Sequence, residues 1–204
     1  MLELHPEMRR SVHLLQIAVP SRVQIPAYRK LKAEINALVG EINGRHADID
    51  WTPIRYLNKS FPQSALAGFY RSAQIGVITP FQDGMNLVAK EYVAAQNPLD
   101  PGILVLSEFA GAAKQLDAAV LVNPHDIDGM AAGMMRALSM SASERRERWN
   151  AMIAKLEASG LDAWFADFTG ALMDGQHRTG DTALELPSPP VASKAIELWR
   201  ATRH

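Results

Sequence analysis

Cysteine is absent from the 204 residues, which excludes disulfides and thiolate metal sites. An excess of either charge is absent too: 21 Lys and Arg face 22 Asp and Glu, a formal net charge of −1. That balance gives no electrostatic purchase on nucleic acid or on an anionic membrane. No apolar run approaches the roughly 20 residues needed to span a bilayer. The opening Met1-Leu2-Glu3-Leu4-His5-Pro6-Glu7 has no basic segment followed by an apolar core, so it does not read as a signal peptide. The histidines, His5, His13, His46, His125, His177 and His204, are scattered without metal-ligand spacing. His13, inside an apolar run, reads as a core residue. These absences set the expectation of a cytoplasmic protein with no metal, no membrane association and no nucleic-acid partner.

What is present suits a soluble globular domain, with 48% hydrophobic and 21% charged residues, long enough for one good core. Short apolar runs alternate with helical periodicity. Val12 to Val19, Ile54 to Leu57, Ile75 to Thr79, Ile103 to Leu106 and Ala119 to Val122 read as strands. Helices are expected from Pro26 to Asn43 with Gly44 as the stop, from Phe61 to Ser72 and from Leu87 to Gln96. A short helix capped by Ser107 is expected next, then helices from Ile127 to Met140, Glu144 to Ser159 and Leu161 to Met173, the last anchored by Trp164, Phe165 and Phe168. The alternation predicts an α/β fold: a Rossmann-like parallel sheet with helices on both faces and ligands beyond the carboxyl ends of its strands. Residues 175–204, proline-containing and aperiodic, read as a flexible tail to a domain of residues 1–174.

The chain centres on Asp83-Gly84-Met85-Asn86-Leu87-Val88-Ala89-Lys90-Glu91, a glycine-containing turn between a strand and a helix. Asn86 is a good N-cap, so the amides of Leu87, Val88 and Ala89 and the positive end of the helix dipole face the turn, a ready anion site. Asp83 and Glu91, eight residues apart, could hold sugar hydroxyls on either side of it. From spacing alone, a capped helix with an Asp turn and a solvated Glu is the favoured reading.

The run from Asp83 through Tyr92-Val93-Ala94-Ala95-Gln96 resembles the donor-site signature of trehalose-6-phosphate synthases, retaining GT-B glycosyltransferases. Trp51-Thr52-Pro53-Ile54-Arg55-Tyr56-Leu57-Asn58 and Gly102-Ile103-Leu104-Val105-Leu106-Ser107-Glu108-Phe109-Ala110-Gly111-Ala112-Ala113 extend the likeness, which runs from about Leu2 to about Met173. It implies transfer of glucose from UDP-glucose to glucose 6-phosphate, with the nucleotide sugar as substrate and no separate cofactor. Carried over by resemblance, the Leu87, Val88 and Ala89 backbone meets the diphosphate and Glu91 the ribose. Asp83 with Gly84, Met85 and Asn86 holds the transferred glucose, Lys90 lies within the same signature, and the main chain of Phe61 meets the uracil. Arg22, in Val19-Pro20-Ser21-Arg22, aligns with the arginine that meets the acceptor phosphate, a task suited to a guanidinium.

The resemblance covers only the donor-binding, C-terminal half of such an enzyme. The family's upstream Arg-Leu-Asp-Tyr-Ser-Lys-Gly type motif has no counterpart here, and the active-site histidine is expected in an N-terminal half outside this sequence. Two functional readings follow: the donor half of a synthase, inactive when isolated, or a non-catalytic fragment that binds nucleotide weakly or associates with a full-length synthase. An N-terminal GT-B half and a second copy are the expected protein partners. UDP is the donor nucleotide by resemblance; ADP and GDP remain alternatives because the base contacts are largely main chain.

Overall fold

The computed structural model describes residues 1–21, 24–160, 165–166 and 168–173. Two compact units divide the chain, Met1–Glu157 and Ala158–His204. In the first, β1 (Leu14–Ile17), α1 (Pro26–His46), β2 (Ile54–Leu57), α2 (Gln63–Ser72), β3 (Ile75–Ile78), α3 (Leu87–Ala95), β4 (Ile103–Ser107), β5 (Val120–Val122) and α4 (Ile127–Leu138) follow in order, and α5 (Ala142–Ala158) closes it. In the second, residues 165–166 and 168–173 are helical, with Phe165 and Phe168 exposed. The remainder of the expected 161–173 helix, Trp164 included, and the whole of 175–204 lie outside the described residues. Among the described residues no helix is long and apolar enough to cross a membrane, and no group of His, Asp and Glu side chains could hold a metal ion.

All strand pairs are parallel, as the alternating pattern predicts, but they form two sheets rather than one. β1 pairs with β2, Leu14 opposite Ile54, and β3, β4 and β5 pair in that order, Ile75 opposite Ile103 and Val105 opposite Val120. The second sheet holds the core. Along β4 successive side chains alternate between faces. Leu104 and Leu106 join Ala89, Tyr92, Val93 and Met152 on the side of α3 and α5. Ile103 and Val105 join Val120, Val122 and Ala137 on the side of α4. Every residue of β4 is buried, as a central parallel strand covered on both faces should be. Tyr92 lies so close over β3 that a Cβ on Gly76 would stand 2.8 Å from its ring, which only glycine permits.

The first sheet is far less covered. No residue of α1 or α2 is buried, and Leu31 and Leu38, which recur at helical spacing along α1, are exposed. Asn43 ties α1 to β2 through both arms of its amide, donating to the Ile54 carbonyl at 2.9 Å and accepting from the Ile54 N–H at 3.0 Å. Gly44 does not stop the helix: the turn closes at Ala47, whose N–H reaches the Asn43 carbonyl, and Arg45 adds an i,i+4 pair with Glu41. Pro62 stands outside α2 as its N-cap residue, with an extended ψ of 152°. Ser107 ends β4 and accepts from the Phe109 N–H; the short 3-10 helix starts later, at Gly111. His13 precedes β1 and is exposed, not a core residue.

Candidate functional site

The carboxyl ends of β3 and β4 open into two loops that lock together. Asp83 bridges to Ala110; its N–H donates to the Phe109 carbonyl, its own carbonyl accepts from Gly111, and the Met85 carbonyl accepts from Ala112 at 2.7 Å. The approach is so close that a Cβ on Gly111 would stand 2.1 Å from the Gly84 carbonyl oxygen. The Asp83 carboxylate turns inward on its own loop, Oδ1 accepting from the Met85 N–H and Oδ2 from the Asn86 side-chain amide, each at 3.0 Å. A carboxylate offers about four acceptor positions, so capacity for an outside hydroxyl remains.

Asn86 is the hinge into α3. Its backbone is left-handed, φ 77°, a conformation that asparagine tolerates better than most residues, and its Oδ1 accepts from the Ala89 N–H at 2.9 Å. Gly84, in contrast, does not use positive φ. The cap divides the three amides expected to face a ligand: Ala89 is buried with its N–H already engaged, whereas Leu87 and Val88 are exposed at the helix start. These two N–H groups and the dipole's positive end are what this helix start could offer an anion.

Glu91 is half-buried one turn further on, within electrostatic reach of the Tyr70 hydroxyl of α2. Burial, then the neighbouring Glu91 carboxylate, raise the Tyr70 phenol above its ordinary value, so it stays protonated at neutral pH. Tyr70 in turn packs edge-on against Tyr92, ring centroids 6.4 Å apart. Sequence reasoning missed Tyr70 because it lies 21 residues from Glu91 on another helix. It also missed an aromatic wall beside Asp83, in which His125 stacks on Phe81 at 4.8 Å and meets Phe109 edge-on at 5.9 Å. Lys90 is half-buried.

The other predicted residues fall by the first sheet. Phe61 packs edge-on against Phe69 at 5.2 Å, with the Lys59 ammonium 4.9 Å above its ring, so its side chain closes the entry to α2. A cleft of about 500 Å³ opens at the carboxyl ends of β1 and β2, lined by Ser21, Tyr28, Arg29, Lys32, Tyr56 and Asn58 among others. Arg22 follows Ser21 in the chain but lies outside the described residues.

The profile of glycosyltransferase family 20 matches residues 1–174. Trehalose-6-phosphate synthase of Sinorhizobium fredii is 47% identical over 176 residues, 86% of this chain and 38% of that protein. The one from Sodalis glossinidius is 46% identical over 82% of this chain and 36% of its own length. Among solved structures, a UDP-forming alpha,alpha-trehalose-phosphate synthase from Burkholderia xenovorans in complex with glucose-6-phosphate superposes with a TM-score of 0.81 at 48% identity, over 84% of this chain and 38% of that one. A protein from E. coli bound with UDP-2-fluoro glucose does so with a TM-score of 0.81 at 43% identity and the same coverage. The chain thus spans about two fifths of the length of the relatives it matches.

Proposed function

The chain belongs to glycosyltransferase family 20, and on that premise we propose that it forms the donor half of a trehalose-6-phosphate synthase, which transfers glucose from UDP-glucose to glucose 6-phosphate with retention. The observation that carries this reading is the locked Asp83–Asn86 loop feeding the start of α3, with Glu91 one turn behind it. Relatives at 43% to 48% identity hold UDP-2-fluoro glucose or glucose-6-phosphate, which supports the choice of both substrates.

Departure of the nucleoside diphosphate develops negative charge on phosphate oxygens. The Leu87 and Val88 amides and the α3 dipole would meet such an anion and need no reorganisation to stabilise it. Glu91 accepts from the ribose hydroxyls, with the Tyr70 phenol as its neighbour. Asp83 and the backbone of Gly84, Met85 and Asn86 contact the transferred glucose, Lys90 belongs to the same donor signature, and the Phe61 main chain lies toward the base. Arg22 is assigned to the acceptor phosphate. In this reading the protein acts in the cytoplasm, and these 204 residues alone bind donor but turn over negligibly; steady trehalose 6-phosphate formation by the purified chain would overturn the second point.

Titration calorimetry with UDP tests the site. Binding that weakens at least about tenfold in Glu91→Ala, with the fold retained by circular dichroism, is the expected result, since a lost charged acceptor is worth about 1.5–3 kcal/mol. No heat from the folded wild-type chain, or equal heats from both proteins, would refute the assignment.

A further inference from the structure

The loops that follow β3 and β4 are joined by three peptide hydrogen bonds of unequal length. The Ala112 N–H lies 2.7 Å from the Met85 carbonyl and the Gly111 N–H 2.9 Å from that of Asp83, whereas the Asp83 N–H is 3.3 Å from the Phe109 carbonyl, beyond the usual range. The lock is therefore weakest at Asp83 itself. Across that same end lies the His125 ring, stacked on Phe81 of one loop at 4.8 Å and edge-on to Phe109 of the other at 5.9 Å. We propose that His125 is a positioning residue for the donor sugar: its ring clamps Phe81 to Phe109 and so holds Asp83 where it meets a hexose hydroxyl. This role rests on the donor-half reading, in which Asp83 contacts the transferred glucose.

The turn that carries His125 is itself anchored. The Glu108 N–H donates to the Val122 carbonyl at 3.0 Å, which ties the end of β5 to the second of the two loops. Asn123 then folds the chain over its own side chain, Oδ1 accepting from the His125 N–H at 2.9 Å, while its carbonyl accepts from the Asp126 N–H at 3.1 Å. Pro124, between them, is buried. One residue past His125, Asp126 caps α4 through the Gly129 N–H at 2.9 Å. The ring thus projects from a backbone fixed on both sides, as a brace between two other loops requires.

The clamp is not part of the core. Phe81 is 68% exposed, Phe109 43%, and His125 is exposed as well, so the group buries too little apolar area to matter much to folding. An aromatic contact of this geometry is nevertheless comparable with a net hydrogen bond. That is small against the stability of a domain and large against the single long bond at Asp83. The effect should stop short of the nucleotide. Asn86 keeps its own bond to the Ala89 N–H, and the Leu87 and Val88 amides lie beyond that cap. Loss of the clamp should therefore reach the sugar and spare the diphosphate.

Calorimetry of the whole chain with UDP-glucose and with UDP tests this. His125→Ala is expected to weaken UDP-glucose binding at least about fivefold while UDP stays within about twofold, and His125→Phe, which keeps the stack, to restore the wild-type ratio. Hydrogen exchange supplies a readout without ligand: the Asp83 amide should exchange at least about fivefold faster in the alanine variant and at the wild-type rate in the phenylalanine one. Phe81→Ala removes the exposed partner of the stack and should reproduce both effects; it decides the matter should His125→Ala misfold. Equal weakening toward both ligands, no weakening toward either, or an unchanged Asp83 amide overturns the proposal and leaves the donor reading intact. A folded wild-type chain that binds neither ligand refutes the donor reading, and this role with it.

Discussion

Two residues outside the Asp83 to Glu91 run bear on its loop and its carboxylate. Tyr70 lies beside Glu91, and its phenol remains protonated past neutrality because burial and the Glu91 charge both raise it. Tyr70→Phe should therefore weaken UDP binding about threefold to tenfold, the value of one hydrogen bond, with no change between pH 6 and 9. An unchanged affinity by calorimetry would show that Glu91 needs no support. Gly111 acts through its lack of a side chain, beside the bond its N–H makes to the Asp83 carbonyl. An alanine there would meet the Gly84 carbonyl at 2.1 Å, and since both partners are backbone the loop must move. Gly111→Ala should lower thermal stability by about 1–3 kcal/mol and impair UDP binding at the same time. The Asp83 to Glu91 run was legible because strand, turn, cap and helix are consecutive. Tyr70 and Gly111 were not legible as parts of it, since their roles arise from contacts 21 and 27 residues away that no local periodicity records.

The elements themselves were mostly legible, and the misses share one cause. Strand centres and the starts of α1, α3 and α4 follow from apolar runs and caps. Gly44 and Ser107 misled because a glycine or a serine marks a boundary only where no tertiary bond overrides it. Asn43 clamps Ile54 past the first of these, and Ser107 stays within the buried β4. The α3–β3–β4 junction shows how much an element contributes beyond its own turns. Tyr92 is 2% exposed, its ring lies over Gly76, and its hydroxyl donates to the Ala73 carbonyl at 3.0 Å. Burial pushes this phenol well above its ordinary value of about 10. The folded state therefore holds the proton after the unfolded chain has released it. The stability tied to that proton is intact below about pH 10 and is lost as pH rises from there toward the folded value. Tyr92→Phe should cost about 0.5–1.5 kcal/mol at pH 7 for the lost bond and flatten the decline above pH 10. Denaturant melts at pH 7, 10 and 11 check both; an alkaline decline equally steep in the variant would place its origin elsewhere.

Across the first unit, stability is divided unequally, and the division follows the break between the sheets. Both buried clusters draw on β4 and its neighbours, whereas α1 and α2 bury no residue. A Leu side chain contributes about 1.5–3 kcal/mol only when fully buried, and Leu31 and Leu38 are 53% and 56% exposed. A two-stranded sheet is marginal without such cover. The β1–α1–β2 segment should therefore open locally well below the free energy of global unfolding, while β4 exchanges only through the latter. The Leu14 and Ala18 amides, both bonded to β2, are expected to exchange at least about 100-fold faster than the Ile103 amide, bonded to Gln74. Equal rates would mean that the unit opens as one body despite its divided core. The single-sheet expectation drawn from the sequence bears on the same point: apolar runs tell which segments are strands but not which strands share a ladder, and here β1 and β2 share none with β3, β4 and β5.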